Sequence, residues 1–412
     1  MANNYHTRRR ILTKSTSNPL PQSVVLKNNK TEQSNTAGLL CKSLFVVLSI
    51  LVLVASVVIT IIPLEYETYS CTSQAIPYDS VDNKVRISLK SKIGEGLFSG
   101  PESFVMMKDE YIITNSDGRL LSYNTTEKSL KTLLKASTCS EPPCNWPLGI
   151  RKINEFMVVV VDMELGMYLY NLESHAQTFL ITRDTFIDGL PVFFLNDVVY
   201  AESSQVIYAT QSSTRWDIRK NSNGFLQCDI SGRIVYYDLN SHTIGALQTG
   251  PLALPNGIEI SSDERFLIVS NSLKFQLLRI DLDDGSQNRL FAKVPGLPDN
   301  IRKTQVNTFL VALVVPTGQS FLSVDKLINS RLLRLTFAKV SKLTFLPRSW
   351  FDIPCDGFAA FAEFSHSGKL LRVFEADKDG KVSCISSVLQ TSNGYVIGSF
   401  SHKVGYISLV KV

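Results

Sequence analysis

A repeated pattern of short strands constrains the fold of this 412-residue chain more than any other feature of its sequence. From Val85 onward, runs rich in β-branched and aromatic residues, such as Phe156–Val161, alternate with Gly, Asn, Asp and Ser turns. A glycine-led strand followed by a turn recurs at intervals of roughly 45–65 residues, which match one four-stranded propeller blade with its loops. These strands begin at Gly118, Gly166, Gly232 and Gly405. The period predicts an all-β, six-bladed β-propeller over residues 85–412.

An uncharged apolar run, Ser43–Ile62, lies ahead of the repeats. As a helix it would be about 30 Å long, which is the thickness of the hydrocarbon core of a bilayer. A buried core helix and a cleaved signal peptide are the alternatives. The apolar part of a signal peptide is shorter, however, at roughly 7–15 residues, and here the polar segment 1–42 precedes the run. We therefore expect one N-terminal transmembrane helix that acts as an uncleaved signal anchor.

The flanking charge sets the expected topology. Segment 1–42 holds seven Lys or Arg residues and one acidic residue, and its polar composition predicts disorder. Glu65 and Glu67 follow the apolar run, so the positive-inside rule places segment 1–42 in the cytosol. After a linker over 63–84, we expect the propeller in the secretory lumen or outside the cell, at the plasma membrane or the endoplasmic reticulum. Residues 43–412 hold 35 basic and 36 acidic side chains, a balance that argues against nucleic-acid binding.

Cysteines and a glycosylation sequon agree with an oxidising compartment. Cys139 and Cys144 flank a short polar loop, Ser-Glu-Pro-Pro, that suits a disulfide bond. One Asn-x-Ser/Thr sequon lies after the anchor, at Asn124. The sequence has no Cys-x-x-Cys motif or Cys/His cluster, which argues against a metal–thiolate site. The sequence leaves open the pairing of Cys71, Cys228, Cys355 and Cys384.

One segment, Phe321–Val340, breaks the strand pattern. Leucine and isoleucine recur there at mixed helical spacings with Lys and Arg between them, which predicts an amphipathic helix inserted between strands. Three roles are open for it from sequence. It is a surface helix that caps blade edges, a lid over an apolar pocket, or a patch that touches the membrane.

Polar residues begin the first strand of successive repeats. The innermost strands of a propeller surround its central channel, so their first residues meet near the channel mouth. Each residue alone is typical of a turn or loop end, and Asn256-Gly257 by itself is a good tight turn. Together, oxygen donors with two negative charges and no sulfur suit a hard cation such as calcium. The candidate ligands are Glu102, Asn196, Asn256, Asp299 and Asn300.

Several segments, in their order and spacing, resemble the family of adipocyte plasma membrane-associated proteins and strictosidine synthase-like proteins. The resemblance covers residues 85–412 and the N-terminal anchor, and the Cys139–Cys144 loop also fits it. The segments that carry it are Gly100–Phe104, Pro147–Arg151, Phe194–Val198, Thr210–Ser213, Gly232–Asp238, Pro255–Ile258, Pro298–Arg302 and Val396–Phe400. The resemblance implies a six-bladed propeller similar to paraoxonases and calcium-dependent lactonases. It also implies a central calcium on the five candidate ligands and arylesterase- or lactonase-like hydrolysis.

The chain departs from that pattern at two functional positions. Paraoxonases have a His pair near the calcium, whereas this chain has Leu148 at one of these positions and Val161-Asp162 at the other. Strictosidine synthase uses a Glu near the start of its last inner strand, and the corresponding position here is about Ser387. Strictosidine synthesis is therefore not expected of this protein.

These observations favour a membrane-anchored, calcium-dependent hydrolase that acts on small carboxylic esters or lactones. Water would be activated by Asp299, as a ligand carboxylate with a free oxygen, or by Asp197 beside Asn196. The alternative is a binding or scaffold propeller with a purely structural calcium, which the missing His pair favours. The sequence names no protein partner.

Overall fold

The structure is a computed structural model with two compact units, Met1–Val57 and Val58–Val412. Helix α1 (Lys30–Ile61) is the described element at the N-terminal end. Within the described part of the chain, no helix combines the length and the apolar character needed to cross a membrane. The residues that the structure describes are 30–64, 67–73, 75–135, 145–216, 221–283, 288–318, 323–342, 355, 357–376, 381–401 and 403–412.

The sheets of the second unit form six four-stranded blades around a centre. The first strand in sequence, β1 (Lys84–Ile93), belongs to the last blade. Strands within a blade are antiparallel and follow each other in sequence, so short turns suffice to connect them. Blade 1 holds β2 (Pro101–Met107), β3 (Glu110–Asn115), β4 (Leu120–Asn124) and β5 (Ser129–Leu134). Blade 2 holds β6 (Pro147–Lys152), β7 (Met157–Asp162), β8 (Gly166–Asn171) and β9 (Gln177–Thr182).

Blades 3 and 4 repeat this plan after a small hairpin. The hairpin is formed by β10 (Phe186–Ile187) and β11 (Leu190–Pro191). Blade 3 holds β12 (Leu195–Ala201), β13 (Val206–Gln211), β14 (Arg233–Asp238) and β15 (Ile244–Ala246). Blade 4 holds β16 (Pro255–Ile260), β17 (Phe266–Asn271), β18 (Gln276–Asp281) and β19 (Asn288–Lys293).

The last two blades share one eight-stranded sheet because β1 joins them. Blade 5 holds β20 (Gly296–Lys303), β21 (Phe309–Pro316), β22 (Ala360–Phe364) and β23 (Leu370–Ala376). Blade 6 holds β24 (Ile385–Thr391), β25 (Gly394–Ser399) and β26 (Ile407–Lys411). Strand β1 supplies its fourth strand by antiparallel pairing with β26, while its first residues pair in parallel with β23. The N-terminal strand thus closes the ring, and the predicted six-bladed propeller is confirmed.

The glycine-led repeat has a backbone cause at two of its four positions. Gly166 opens β8 with a φ of +98°, in the left-handed region that favours glycine. A Cβ atom there would lie 2.1 Å from the carbonyl oxygen of Ile181 on the neighbouring strand. Gly118, just before β4, also has a positive φ of 89°. The repeat therefore marks the turn into the third strand of a blade.

Apolar side chains from adjoining blades form the core. Phe361 of β22, Phe374 of β23 and Tyr395 of β25 pack together between blades 5 and 6, with ring centroids 4.5–5.1 Å apart. Burying a large apolar side chain stabilises a fold by about 1.5–3 kcal/mol. Such contacts recur between neighbouring blades, so the inner strands are held at fixed spacing around the channel.

Short α-helices and a strap of chain cover part of the face at which the inner strands begin. The α-helices described there are α2 (Asn221–Gln227), α3 (Val324–Asn329) and α4 (Arg331–Val340). Val324 and Ile328 pack with Leu297 at the start of β20. The helix predicted over 321–340 is therefore two helices, because the backbone turns at Ser330. They cap blade ends on this face.

The strap, residues 67–73 and 75–83, belongs to the predicted linker and packs against the propeller. Tyr78 is 1% exposed, and the backbone N–H of Tyr69 donates to the carbonyl of Gln227 at 2.8 Å. Two disulfide bonds, Cys71–Cys228 and Cys355–Cys384, lie in the same apolar cluster. These are the pairings that the sequence left open. The predicted Cys139–Cys144 bond lies outside the described residues and stays a prediction.

Candidate metal centre

The six inner strands share one irregularity near their first residue. They lie side by side around the channel, and each carries a β-bulge that interrupts its pairing with the second strand of its blade. A bulge leaves the inserted residues out of the ladder and re-aims their side chains. The equivalent first bulge positions are Glu102, Leu148, Asn196, Asn256, Asp299 and Ser386. Four of the five predicted ligands therefore occupy the same structural position in four different blades. The fifth, Asn300, directly follows Asp299 on β20 of blade 5.

Four predicted ligands form one cluster. The amide nitrogen of Asn300 on β20 lies 3.5 Å from a carboxylate oxygen of Glu102 on β2, and β24 lies between these two inner strands in the ring. Asn256 lies close enough to Asp299 for its side chain to lower the pKa of that carboxyl group, although burial raises this pKa overall. Glu102, Asp299 and Asn300 are 5% exposed or less. The structure thus brings the side-chain oxygen atoms of these four residues together near the mouth of the central channel.

Asn196 occupies the equivalent position on β12, which lies beside β16. Its amide nitrogen donates to the hydroxyl of Ser212 at 3.1 Å, and this bond orients the side chain. The side chain is 9% exposed, slightly more than those of the two acidic residues. Asn196 is therefore buried at the same strand position as Glu102, Asn256 and Asp299.

The cluster is electrostatically unsatisfied. Burial raises the pKa of Glu102 to about 7, and the negative charge of Asp197 adds to this shift. Burial also raises the pKa of Asp299 well above its usual range, followed by the charges of Glu102 and Asp197. Both pKa shifts indicate that no nearby positive charge is strong enough to offset the desolvation of these two carboxylates. A bound cation would supply it.

Orphaned oxygen atoms test whether the site fits a hard cation. Oδ1 of Asn256, Oδ1 of Asp299 and Oδ1 of Asn300 are buried and have no hydrogen-bond partner among the residues that the structure describes. Buried polar atoms are nearly always satisfied in native proteins, and each exception calls for a cause. Oxygen donors from several strands match the six to eight oxygen ligands that calcium takes. The residues therefore fit calcium, with amide oxygens supplying most of the donors. Among the described residues, no group of three or more His, Cys, Asp or Glu side chains is placed to hold a metal ion.

The remaining bulge positions do not supply ligands of this kind. Leu148 is buried in an apolar cluster with Met163 and Phe194. Asp162, across the ladder from Pro147, accepts backbone N–H groups of Trp146, Glu164 and Leu165 through one oxygen. Burial raises the pKa of Asp162 to about 6. These positions carry no His pair.

A second layer of charge lies next to the first. Asp197 follows Asn196 and is fully buried, and its oxygens accept from Arg151 at 3.1 Å and from Arg302 at 2.9 Å. The N–H of Ile258 donates to the same carboxylate at 3.1 Å. Burial alone would raise the pKa of Asp197, but the two arginines and this N–H lower it overall. Asp197 is therefore an ionised structural group whose two oxygens are occupied.

Further bonds extend this network across the channel. Arg302 donates to the hydroxyl of Ser103 at 2.6 Å, and Arg151 donates to the carbonyls of Ile258 and Ile301. A carboxylate oxygen of Glu259 lies 3.9 Å from Arg151. The network connects five of the six inner strands, so it fixes the geometry on which the oxygen cluster depends.

Hydroxyl groups of neighbouring blades fix the carbonyls of the bulge residues. The Thr210 hydroxyl donates to the Asn256 carbonyl at 2.5 Å, and Ser270 donates to that of Asp299 at 2.7 Å. Ser386 donates to the Glu102 carbonyl at 2.6 Å. Sequence reasoning missed these residues. For Thr210 and Ser270 the available signal was a Ser or Thr near the end of the second strand of a blade, whereas Ser386 lies at the start of an inner strand.

Comparisons with known proteins agree with this architecture. A model of the strictosidine synthase family matches residues 196–281, which span β12 to β18 and include two predicted ligands. The chain is 25% identical over 386 residues to adipocyte plasma membrane-associated protein of Mus musculus, and the match covers 90% of each chain. It is 29% identical over 324 residues to strictosidine synthase-like 10 of Arabidopsis thaliana, covering 73% of this chain and 83% of that protein. The chain is therefore similar to strictosidine synthase-like proteins along most of its length.

Solved structures extend the family likeness to the fold. A gluconolactonase of Xanthomonas campestris matches with a TM-score of 0.52 at 13% identity, over 84% of this chain and 99% of that one. A calcium-binding protein, regucalcin, of Agrobacterium tumefaciens matches with a TM-score of 0.51 at 10% identity, over 79% and 95%. At these identities the likeness shows the propeller fold alone.

Proposed function

We propose that this protein is a calcium-dependent hydrolase of small carboxylic esters or lactones. The observation that carries the proposal is the set of three orphaned, buried oxygens beside two carboxylates at the channel mouth. If these residues had only a structural role and bound no ligand, we would expect other protein groups to hydrogen-bond these oxygen atoms. Glu102, Asn196, Asn256, Asp299 and Asn300 would hold the ion.

The chemistry is ester hydrolysis by water. When bound, calcium supplies Lewis-acid polarisation of the substrate carbonyl and stabilises the charge that develops on its oxygen. Asp299 would take a proton from the attacking water while the water oxygen bonds to the carbonyl carbon. The bond to the leaving alkoxide then breaks, and Asp299 returns the proton to that oxygen. A carboxylic acid and an alcohol result, or one hydroxy acid from a lactone.

Asp299 is preferred to Asp197 as the base. Asp197 accepts hydrogen bonds from Arg151 and Arg302, and its lowered pKa makes it a weak proton acceptor. Asp299 keeps one oxygen without a partner. We assign Asp197 the role of holding the inner strands in register.

The substrate class rests on the structural neighbours. One of them is described as a gluconolactonase and another as a luciferin-regenerating enzyme. Strictosidine synthesis is not proposed, because Ser387 stands where a catalytic Glu would be required and is 1% exposed.

The test is hydrolysis of phenyl acetate and simple lactones by the full chain in neutral detergent. We expect turnover with calcium, loss of turnover with excess chelator, and recovery when calcium is restored. Lack of turnover by folded protein that calcium stabilises would reject the hydrolase.

That outcome would favour a binding propeller with a structural calcium. The apolar surroundings of Leu148, where paraoxonases have His, are the observation on its side. Both functions predict that chelation destabilises the propeller, because a cation bound only by the folded state stabilises it by mass action. Turnover decides between them.

We also propose attachment to a membrane through segment 43–62, with the propeller on the lumenal or extracellular side. The relatives are named plasma membrane-associated proteins, and two disulfides in the second unit suit an oxidising compartment. Attachment of a glycan at Asn124 would agree with this side. The test is carbonate extraction of membranes combined with glycosidase treatment; release of an unglycosylated protein by carbonate would contradict it.

A further inference from the structure

A group of cations beneath helix α4 is not used by the proposed reaction. Arg334 is 0% exposed, and within the described part of the chain its only side-chain hydrogen bond runs from Nη2 to the carbonyl oxygen of Tyr69 on the strap. Nε and Nη1 have no partner among these residues, which leaves three N–H donors unsatisfied. Among the described residues no carboxylate pairs with Arg334. A buried guanidinium in this state is costly unless an anion joins it.

Two more cations approach the same segment of the strap. Arg331, one turn earlier on α4, donates to the hydroxyl of Thr68 at 3.1 Å. Lys274, between β17 and β18, donates to the carbonyl of Thr72 at 3.3 Å. These partners are neutral oxygens, so they do not offset the three positive charges. Arg331 is exposed and Lys274 half-buried, so the group reaches from the surface to a buried floor at Arg334.

The electrostatics agree with this geometry. Burial, and then the charge of Arg331, lowers the pKa of Arg334. Burial, and then the charge of Arg334, lowers the pKa of Lys274. Like charges held together with desolvation disfavour their own charged forms. An anion between them would remove both penalties.

We propose that Arg334, Lys274 and Arg331 form a binding site for a phosphate group, separate from the oxygen cluster at the channel mouth. Guanidinium groups bind phosphate by several charge-assisted hydrogen bonds, and three cations favour a doubly charged oxyanion over a single carboxylate. The phosphate comes from a free phosphate-bearing molecule or from the headgroup of an anionic lipid. The two sources share the chemistry and are separated by experiment.

The experiment is thermal unfolding of the calcium-free full chain in neutral detergent, with sodium phosphate titrated at constant ionic strength. We expect a saturable rise in Tm in the wild type. Equilibrium dialysis with labelled phosphate should show binding at least ~10-fold weaker in Arg334→Gln and Lys274→Gln, since each removes a charged donor. Lys293→Gln, at an exposed lysine of β19, is the matched control and should bind as the wild type does.

Two further arms locate the site and its ligand. Asp299→Asn should retain phosphate binding, which separates this site from the proposed calcium centre. Mixed micelles with phosphatidic acid are compared with phosphatidylcholine micelles: stabilisation by inorganic phosphate supports a free ligand, and stabilisation by phosphatidic acid alone supports a lipid headgroup. The absence of any response, or an equal response in Arg334→Gln and Lys274→Gln, would overturn the proposal. Lys274→Gln keeps the test valid should Arg334→Gln fail to fold.

Discussion

Two neighbouring layers of the central channel handle buried charge in opposite ways. In the layer of Asp197, two arginines and a backbone N–H satisfy one carboxylate. In the layer of Glu102 and Asp299, two carboxylates share one site and three oxygens lack partners. Adjacent residues, Asn196 and Asp197, belong to different layers. The comparison separates a layer that stabilises the fold from a layer whose unsatisfied charge is available to a ligand.

The largest expected effect tests the satisfied layer. Asp197→Ala would leave Arg151 and Arg302 buried without their counter-charge, which we expect to lower the free energy of unfolding by about 3–5 kcal/mol. Urea denaturation followed by circular dichroism measures this. Asp283→Ala is the control, because Asp283 forms an exposed pair with Arg265 and should cost less than ~1 kcal/mol. Equal losses in the two variants would remove the distinction between the layers.

The opposite result is expected in the unsatisfied layer. Asp299→Asn removes a buried carboxylate whose pKa burial has raised, so stability without calcium should not fall below that of the wild type. Ester hydrolysis should fall at least ~100-fold, since the proposed base is lost. The rise in Tm on adding calcium should also disappear. Turnover and Tm are compared with Asp283→Asn; a variant that stays fully active would exclude Asp299 as the base.

A fourth buried carboxylate, that of Asp162, sharpens the contrast through its pH dependence. Asp162 has backbone donors but no arginine, and burial raises its pKa from 3.8 to about 6. Because the folded-state pKa is raised, the stability from this group is full below pH 3.8 and is lost as pH rises to about 6. This loss should amount to about 2–3 kcal/mol. In Asp162→Asn it should be absent, because the amide oxygen keeps the backbone bonds.

Denaturation of wild type and Asp162→Asn across pH 4–7 measures the difference between them, which cancels the other titrating groups. The variant should gain in relative stability as pH rises. Parallel pH profiles would mean that Asp162 titrates near its usual pKa despite its burial.

The two layers also differ in how far the sequence predicted them. The repeat and the polar residues at strand starts predicted the propeller and located Glu102, Asn256, Asp299 and Asn300, since all lie at strand starts. The satisfied layer depends on pairs such as Arg302–Asp197, which are 105 residues apart in sequence and meet only through the ring. The bulge decides that Asn196 and Asp197 serve different layers, and sequence carries no local sign of its register.

The smallest expected effect concerns how the unsatisfied layer is positioned. Ser270 and Ser272 are both buried, and their hydroxyls donate to successive carbonyls of β20, those of Asp299 and Pro298, at 2.7 and 2.8 Å. Ser270→Ala and Ser272→Ala should each cost about 1 kcal/mol of stability, since each loses one hydrogen bond. Only Ser270 holds a proposed ligand, and loss of such a positioning bond weakens metal binding by roughly 10-fold or more.

Calcium titrations followed by Tm, with the half-maximal concentration as the readout, separate the two variants. Ser270→Ala should need more calcium than the wild type, and Ser272→Ala should not, although both lose similar stability. A shared shift would mean that calcium binding follows general stability and that the Asp299 carbonyl is not individually positioned. A shift in Ser270→Ala alone would show that the neighbouring blade sets the geometry of the ligand, so that the hydroxyls of the second strands belong to the site as much as the carboxylates do.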